Sequence, residues 1–86
     1  MKFQEIHKQA NRAGVDQLFS DAEVAMAMLD LARASQVPEL KKTSFKEALK
    51  VYDLIRKHTP AVSLTRTEAT ALNKKMALLK LRLSLG

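Results

Sequence analysis

Three short motifs in this sequence each combine a serine or threonine with a glutamate three residues later. They are Ser20 with Glu23, Ser44 with Glu47, and Thr65 with Glu68. In such a capping box each side chain accepts a hydrogen bond from a free backbone amide at the start of a helix. An apolar stretch with helical spacing follows each motif. The sequence therefore predicts three helix starts and an all-α fold.

A fourth helix is predicted before the first motif. Phe3, Ile6 and Ala10 recur at helical spacing, and Gly14 stands where helices often end in a left-handed residue. Pro38 and Pro60 disfavour the continuation of the helices before them. We therefore predict a three- to four-helix bundle with helices at about residues 2–13, 21–35, 45–58 and 66–84. The 86 residues suffice for one domain, with an N-terminal helix and connection in 1–19 and a three-helix core in 20–86.

The apolar stripes of the last two helices predict the core. The third helix should bury Phe45, Ala48, Leu49, Tyr52 and Ile55, with Leu49 and Tyr52 at the centre. The fourth helix should bury Ala69, Leu72, Met76, Leu79 and Leu83.

The last helix also carries a second apolar stripe, formed by Leu78, Leu81 and Leu85. One helix cannot turn both stripes toward the same core, because leucines on alternate residues point to different sides. The second stripe is covered either by the N-terminal helix or by another molecule. The latter alternative makes these three leucines candidate partner-binding residues, for a partner helix or a second copy of the chain.

The third helix resembles the second helix of a tetratricopeptide repeat. That family places an aromatic residue, a small residue, a second aromatic residue and a proline where this chain has Phe45, Ala48, Tyr52 and Pro60. Ile55 stands where the family has a small residue, and the first helix of the repeat lacks the family's tryptophan and glycine. Residues 20 to 85 as a whole resemble the single three-helix bundles of microtubule-interacting-and-transport (MIT) domains. The resemblance implies peptide binding in a groove between helices, without catalysis.

The charge distribution leaves nucleic-acid binding as the alternative function. The net charge is −2 over residues 1–40 and +8 over residues 41–86. A lysine-rich face of the third helix, made of Lys42, Lys46, Lys50 and Lys57, is suited to contacting a phosphate backbone. Lysine outnumbers arginine ten to five, however, and the aromatic residues are assigned to packing, so sequence-specific base recognition is not indicated.

Several other classes of function are disfavoured by the residues. The two histidines, His7 and His58, are far apart and there is no cysteine, so we predict neither a metal site nor a catalytic site nor a cofactor. No stretch is apolar enough to predict a membrane span, and the first residues show no secretory signal, which favours the cytoplasm. Attachment of the leucine-rich end, from Lys74 to Leu85, to a membrane surface ranks third, since it lacks tryptophan and phenylalanine. We expect a non-enzymatic protein-interaction module.

Overall fold

The computed structural model describes the backbone of residues 2–85 and the side chains of residues 8–85. It contains three packed helices, α1 (Lys2–Ala34), α2 (Pro38–His58) and α3 (Arg66–Leu85), with a 3-10 turn (Thr59–Ala61) after α2. Residues 2–85 include no strand. The prediction of a small all-α bundle is confirmed, with three helices. The side chains of Phe3, Ile6 and His7 lie outside the described residues.

The first helix is continuous where the sequence predicts a break. Gly14 lies inside α1 without a positive φ, so it does not end a helix, and the predicted helices at 2–13 and 21–35 are one. A Cβ at Gly14 would lie 2.7 Å from Cγ1 of Val62, so the glycine lets the loop after α2 approach α1. The predicted capping box of Ser20 and Glu23, and with it the division at residue 20, is wrong. Glu23 instead forms an ion pair with Lys75 of α3 at 2.6 Å.

The second helix begins earlier than predicted. Val37 is extended, and Pro38 is the first residue of α2. Proline suits this position, because the amide that it lacks would have no partner inside the helix. Ser44 is buried within α2, so it does not cap the helix with Glu47, and the predicted start at 45 is wrong. The predicted end at His58 is confirmed.

The third capping box is confirmed at the start of α3. The Thr65 amide donates to Oε1 of Glu68 at 3.0 Å, and the Glu68 amide donates to Oγ1 of Thr65 at 3.1 Å. The Glu68 carboxylate also accepts a hydrogen bond from Nη1 of Arg12, at 2.9 Å. The pKa of Glu68 is lowered mainly because the Thr65 backbone amide donates to its ionised form, and the Arg12 charge adds to the shift.

The core runs along one face of each helix. On α1 the buried residues alternate three and four positions apart, as in a coiled coil: Val15, Leu18, Ala22, Ala25, Leu29 and Ala32. Ala48 and Ile55 of α2 are fully buried, and Leu72 and Leu79 of α3 complete the core. Met76 and Leu83 pack against this core, as predicted.

The predicted burial of the third helix is correct only in part. Phe45 and Tyr52 are only half-buried against the core and Leu49 is 43% exposed, so the predicted central positions of Leu49 and Tyr52 are wrong. Leu49 follows Ala48, and one residue rotates a side chain by about 100° around the helix. The stripe that α2 buries is therefore narrower than the apolar pattern suggested.

Within residues 2–85, no helix is both long enough and apolar enough to cross a membrane. The bundle measures 54 × 20 × 17 Å. This elongated shape leaves long helix faces at the surface.

Candidate interaction surfaces

The leucines of the second stripe on α3 are exposed. Leu78, Leu81 and Leu85 are 45%, 56% and 79% exposed, whereas Leu72 and Leu79 on the other side of α3 are buried. We call these three side chains the leucine surface. They are spaced i, i+3 and i+7, and residues at this spacing lie along one side of a helix.

Ion pairs between α1 and α3 show why α1 does not cover this surface. Arg12 pairs with Glu68 at 2.9 Å, Glu23 with Lys75 at 2.6 Å, and Asp30 with Arg82 at 2.6 Å. Residue numbers rise together along both helices, so α1 and α3 are parallel. The segment predicted as a separate N-terminal helix therefore lies at the end of the bundle opposite Leu85. Coverage of the leucine surface by this segment, one of the two alternatives, is wrong.

Four further exposed apolar residues, on α1 and α2, were not predicted from the sequence. Val24 and Leu31 of α1 are 43% and 48% exposed, and Leu40 and Leu54 of α2 are 44% and 47% exposed. Val24 and Leu31 directly follow Glu23 and Asp30, which pair with α3, and so point about 100° away from α3. We call these four residues the hairpin surface.

The spacing of these residues could have revealed the hairpin surface. Val24 and Leu31 are seven residues apart, and Leu40 and Leu54 are fourteen apart. Residues separated by whole heptads share one side of a helix.

The predicted lysine face is present on α2. Lys42, Lys46, Lys50 and Lys57 are all exposed. Nζ of Lys50 lies 3.5 Å from Oε1 of Glu47, and Asp53 is exposed on the same helix. These carboxylates reduce the positive potential of the face.

Aromatic side chains offer no stacking platform in the described part of the chain. Phe19, Phe45 and Tyr52 all pack against the core. The Arg56 guanidinium lies 5.9 Å from the centre of the Tyr52 ring, which covers part of its remaining surface. Stacking of bases on these rings would require them to leave the core.

A cleft opens at the end of the bundle where α1 and α3 end and α2 begins. Its volume is about 680 Å³. Its apolar part is formed by Leu29, Ala32, Pro38, Phe45 and Leu85. Its polar part is formed by four cations, Arg33, Lys41, Lys42 and Arg82. We call it the end cleft; the sequence analysis did not predict it, because its residues come from three separate helix ends.

Groups suited to metal binding are not brought together in the part of the chain that the structure describes. It holds no cluster of three or more histidine, aspartate or glutamate side chains placed to bind an ion. His58 is exposed at the end of α2. The expectation that the protein is not an enzyme stays a prediction.

Comparison with known proteins finds no matching family model, no matching curated protein and no matching solved structure. The resemblance of residues 45–60 to a tetratricopeptide-repeat helix, and of residues 20–85 to MIT bundles, therefore stays a prediction. Any functional assignment depends on the surfaces described above.

Proposed function

We propose that this protein is a non-enzymatic interaction module that binds a partner helix or a second copy of itself through the leucine surface. The observation that carries the proposal is the exposure of Leu78, Leu81 and Leu85 on a helix whose other side is in the core. Leucines at this spacing are the anchors by which one helix docks on another. Burying them against a partner would remove apolar area from water, which is the main favourable contribution to association.

The distribution of large aliphatic side chains supports the same function. Among the described residues six are buried: Val15, Leu18, Leu29, Ile55, Leu72 and Leu79. Nine valines and leucines are exposed. Single exposed leucines are common in proteins, but surfaces made of several are typical of interaction sites.

Charged residues beside the leucine surface favour an acidic partner. Lys74 is exposed on α3 one turn before Leu78, on the same side of the helix as the leucines. Cations at the edge of an apolar surface accelerate the association of an acidic segment and select against basic ones. The partner segment should therefore be apolar on one side and acidic along its edges.

The experiment compares two double variants that add the same charge at different surfaces. Leu78→Asp/Leu81→Asp changes the leucine surface, and Val24→Asp/Leu31→Asp changes the hairpin surface. Self-association is measured by sedimentation velocity. Binding of other proteins is measured by capture from a lysate of the source organism after nuclease treatment.

We expect the first variant to lose the oligomer or the captured protein, and the second to keep it. Circular dichroism must show that both variants retain their helices. If binding is lost only in the Val24/Leu31 variant, the interaction uses the hairpin surface and the proposal is wrong about the site. If neither variant changes mass or capture, the interaction function itself is contradicted.

The alternative function is binding of nucleic acid through the lysine face. It is favoured by the exposure of Lys42, Lys46, Lys50 and Lys57 on one helix. Such binding should weaken linearly on a log–log plot against salt concentration, with a smaller slope for Lys46→Glu/Lys50→Glu. Retention of RNA or DNA that is insensitive to both changes would exclude this face as the site.

A further inference from the structure

The end cleft combines an apolar interior with a positive edge. Leu29 and Ala32 are each 5% exposed at its base, and Phe45 is half-buried beside them. None of the residues that line the cleft is acidic. Its volume of about 680 Å³ lies within the range of roughly 300–1,000 Å³ that is usual for small-molecule sites.

The four cations of the cleft are not equally neutralised. Arg82 donates from Nη2 to Asp30 at 2.6 Å. Arg33, Lys41 and Lys42 form no ion pair within residues 8–85. Three cations at one opening, without an ion-pair partner in that part of the chain, leave a positive potential at the mouth of the cleft.

The helix dipoles favour only two of the four cations of the cleft. Arg33 and Arg82 lie in the last turns of α1 and α3, where a cation interacts favourably with the helix dipole. Lys41 and Lys42 instead are the fourth and fifth residues of α2, where the helix end offers a cation no favourable interaction, and Glu39 precedes them in the first turn. An anion bound at the mouth would reduce the repulsion between these lysines.

We propose that the end cleft binds a small amphipathic carboxylate, with the carboxylate at Lys41 and Lys42 and the apolar chain against Leu29, Ala32 and Phe45. The two parts of the cleft favour an amphipathic ligand over simpler ones. An inorganic anion would leave the apolar interior in contact with water, and an uncharged apolar molecule would make no use of the positive edge. This inference does not require the proposed interaction function, although Leu85 belongs to both the leucine surface and the lining of the cleft.

The test is titration of the full chain with octanoate, monitored by calorimetry and by amide chemical shifts. Acetate, which lacks the chain, and 1-octanol, which lacks the charge, are the control ligands. We expect saturable binding of octanoate, with shifts centred on Leu29, Ala32 and Phe45, and much weaker binding of both controls.

Matched variants test the role of the lysines. Lys41→Gln/Lys42→Gln should weaken octanoate binding about tenfold, which corresponds to the loss of two partly screened charge contacts. Lys46→Gln/Lys57→Gln removes the same charge from positions of α2 that do not line the cleft and should leave the affinity unchanged. Leu78→Asp/Leu81→Asp should also leave it unchanged, since neither leucine lines the cleft.

Four results would overturn the proposal. The first is the absence of saturable octanoate binding, and the second is equal affinity for 1-octanol and octanoate. The third is an equal effect of the two lysine variants, which would indicate general charge attraction. The fourth is a set of chemical shift changes centred outside the cleft, at the leucine surface or the hairpin surface.

Discussion

Val62 lies so close to Gly14 that the effect of Gly14→Ala on stability should change sign with the side chain at position 62. Gly14 lies in the interior of α1, where replacement of glycine by alanine stabilises a helix by about 1 kcal/mol. The added Cβ would lie 2.7 Å from Cγ1 of Val62, a distance that requires Val62 to move. Val62 is half-buried against the core and has a stiff, β-branched side chain, so it cannot simply rotate away.

The magnitude follows from these two opposing effects. Overpacking of this kind costs about 1–3 kcal/mol. We therefore expect Gly14→Ala alone to lower the free energy of unfolding by about 1 kcal/mol, the difference between the two effects. In a Val62→Ala background the contact is removed, and the same substitution should raise the free energy of unfolding by about 1 kcal/mol. The coupling between the two positions is then about 2 kcal/mol.

Urea unfolding of the four proteins, followed by far-ultraviolet circular dichroism, measures this coupling. Thermal unfolding gives a second measure, because each 1 kcal/mol should shift the melting temperature of a chain of this size by about 4–8 °C. The reversal of sign is therefore measurable by either method. If Gly14 instead ended a helix in the left-handed conformation, alanine would be destabilising in both backgrounds. That result would refute the continuous α1.

Three further predictions concern the helix starts and the core. Thr65→Ala should lower the free energy of unfolding by about 1 kcal/mol, because it removes a helix cap. Ser20→Ala changes the interior of α1 and should raise it by a few tenths of a kcal/mol. Equal losses in urea unfolding would contradict this difference between the two motifs. The pKa of Glu68 is lower in the folded state than its ordinary value of 4.5, so the ionised carboxylate stabilises the fold at pH values above 4.5. This contribution is lost as the pH falls through the lower pKa of the folded state. Unfolding measured from neutral to acid pH should therefore show a weaker pH dependence for Glu68→Gln than for the unmodified protein, and identical profiles would count against the shift. Ile55→Ala should cost about 2–5 kcal/mol and Leu49→Ala less than about 1 kcal/mol, a difference that thermal unfolding would reveal; similar losses would mean that the burial on α2 is assigned wrongly.

The helical class was predictable because local signals agree with the fold. Apolar spacing defines α3, and Thr65 and Glu68 do form the expected cap. Pro38 correctly predicted that a helix ends near residue 35, but it also begins α2, which was not predicted.

The two incorrect capping boxes have a common physical cause. Serine and glutamate three residues apart are compatible with the interior of a helix, where the serine side chain is exposed or fits a tight contact. Ser20 is exposed, and Ser44 is buried in the core. Only the tertiary arrangement decides whether such a pair caps a helix, so the motif alone cannot give the helix count.

The candidate surfaces were predictable to different degrees. The leucine surface follows from one helix that carries two apolar stripes, which is a local property of α3. The hairpin surface and the end cleft depend on how α2 and α3 are oriented around α1. Ion pairs such as Asp30 with Arg82 join residues 52 positions apart, and no local pattern in the sequence indicates which charges will meet.

The size of the exposed surface links the fold to the proposed interaction. The chain exposes 6568 Å², whereas a compact monomer of this mass exposes about 5,100 Å². Its radius of gyration is 15.1 Å, against about 12 Å for a compact domain of this length. The excess area is larger than the roughly 800 Å² that each partner contributes to an ordinary interface.

A partner that covers the leucine surface must therefore also stabilise the fold. At about one hundred times the dissociation constant, binding adds about 2.7 kcal/mol to the free energy of unfolding, or a rise of roughly 10–20 °C in melting temperature. When the partner is a second copy, this rise depends on the concentration of the protein itself and disappears in Leu78→Asp/Leu81→Asp. When the partner is a different helix, the melting temperature is independent of protein concentration and rises only on addition of that helix. Thermal unfolding at several concentrations thus distinguishes the two kinds of partner before either is identified.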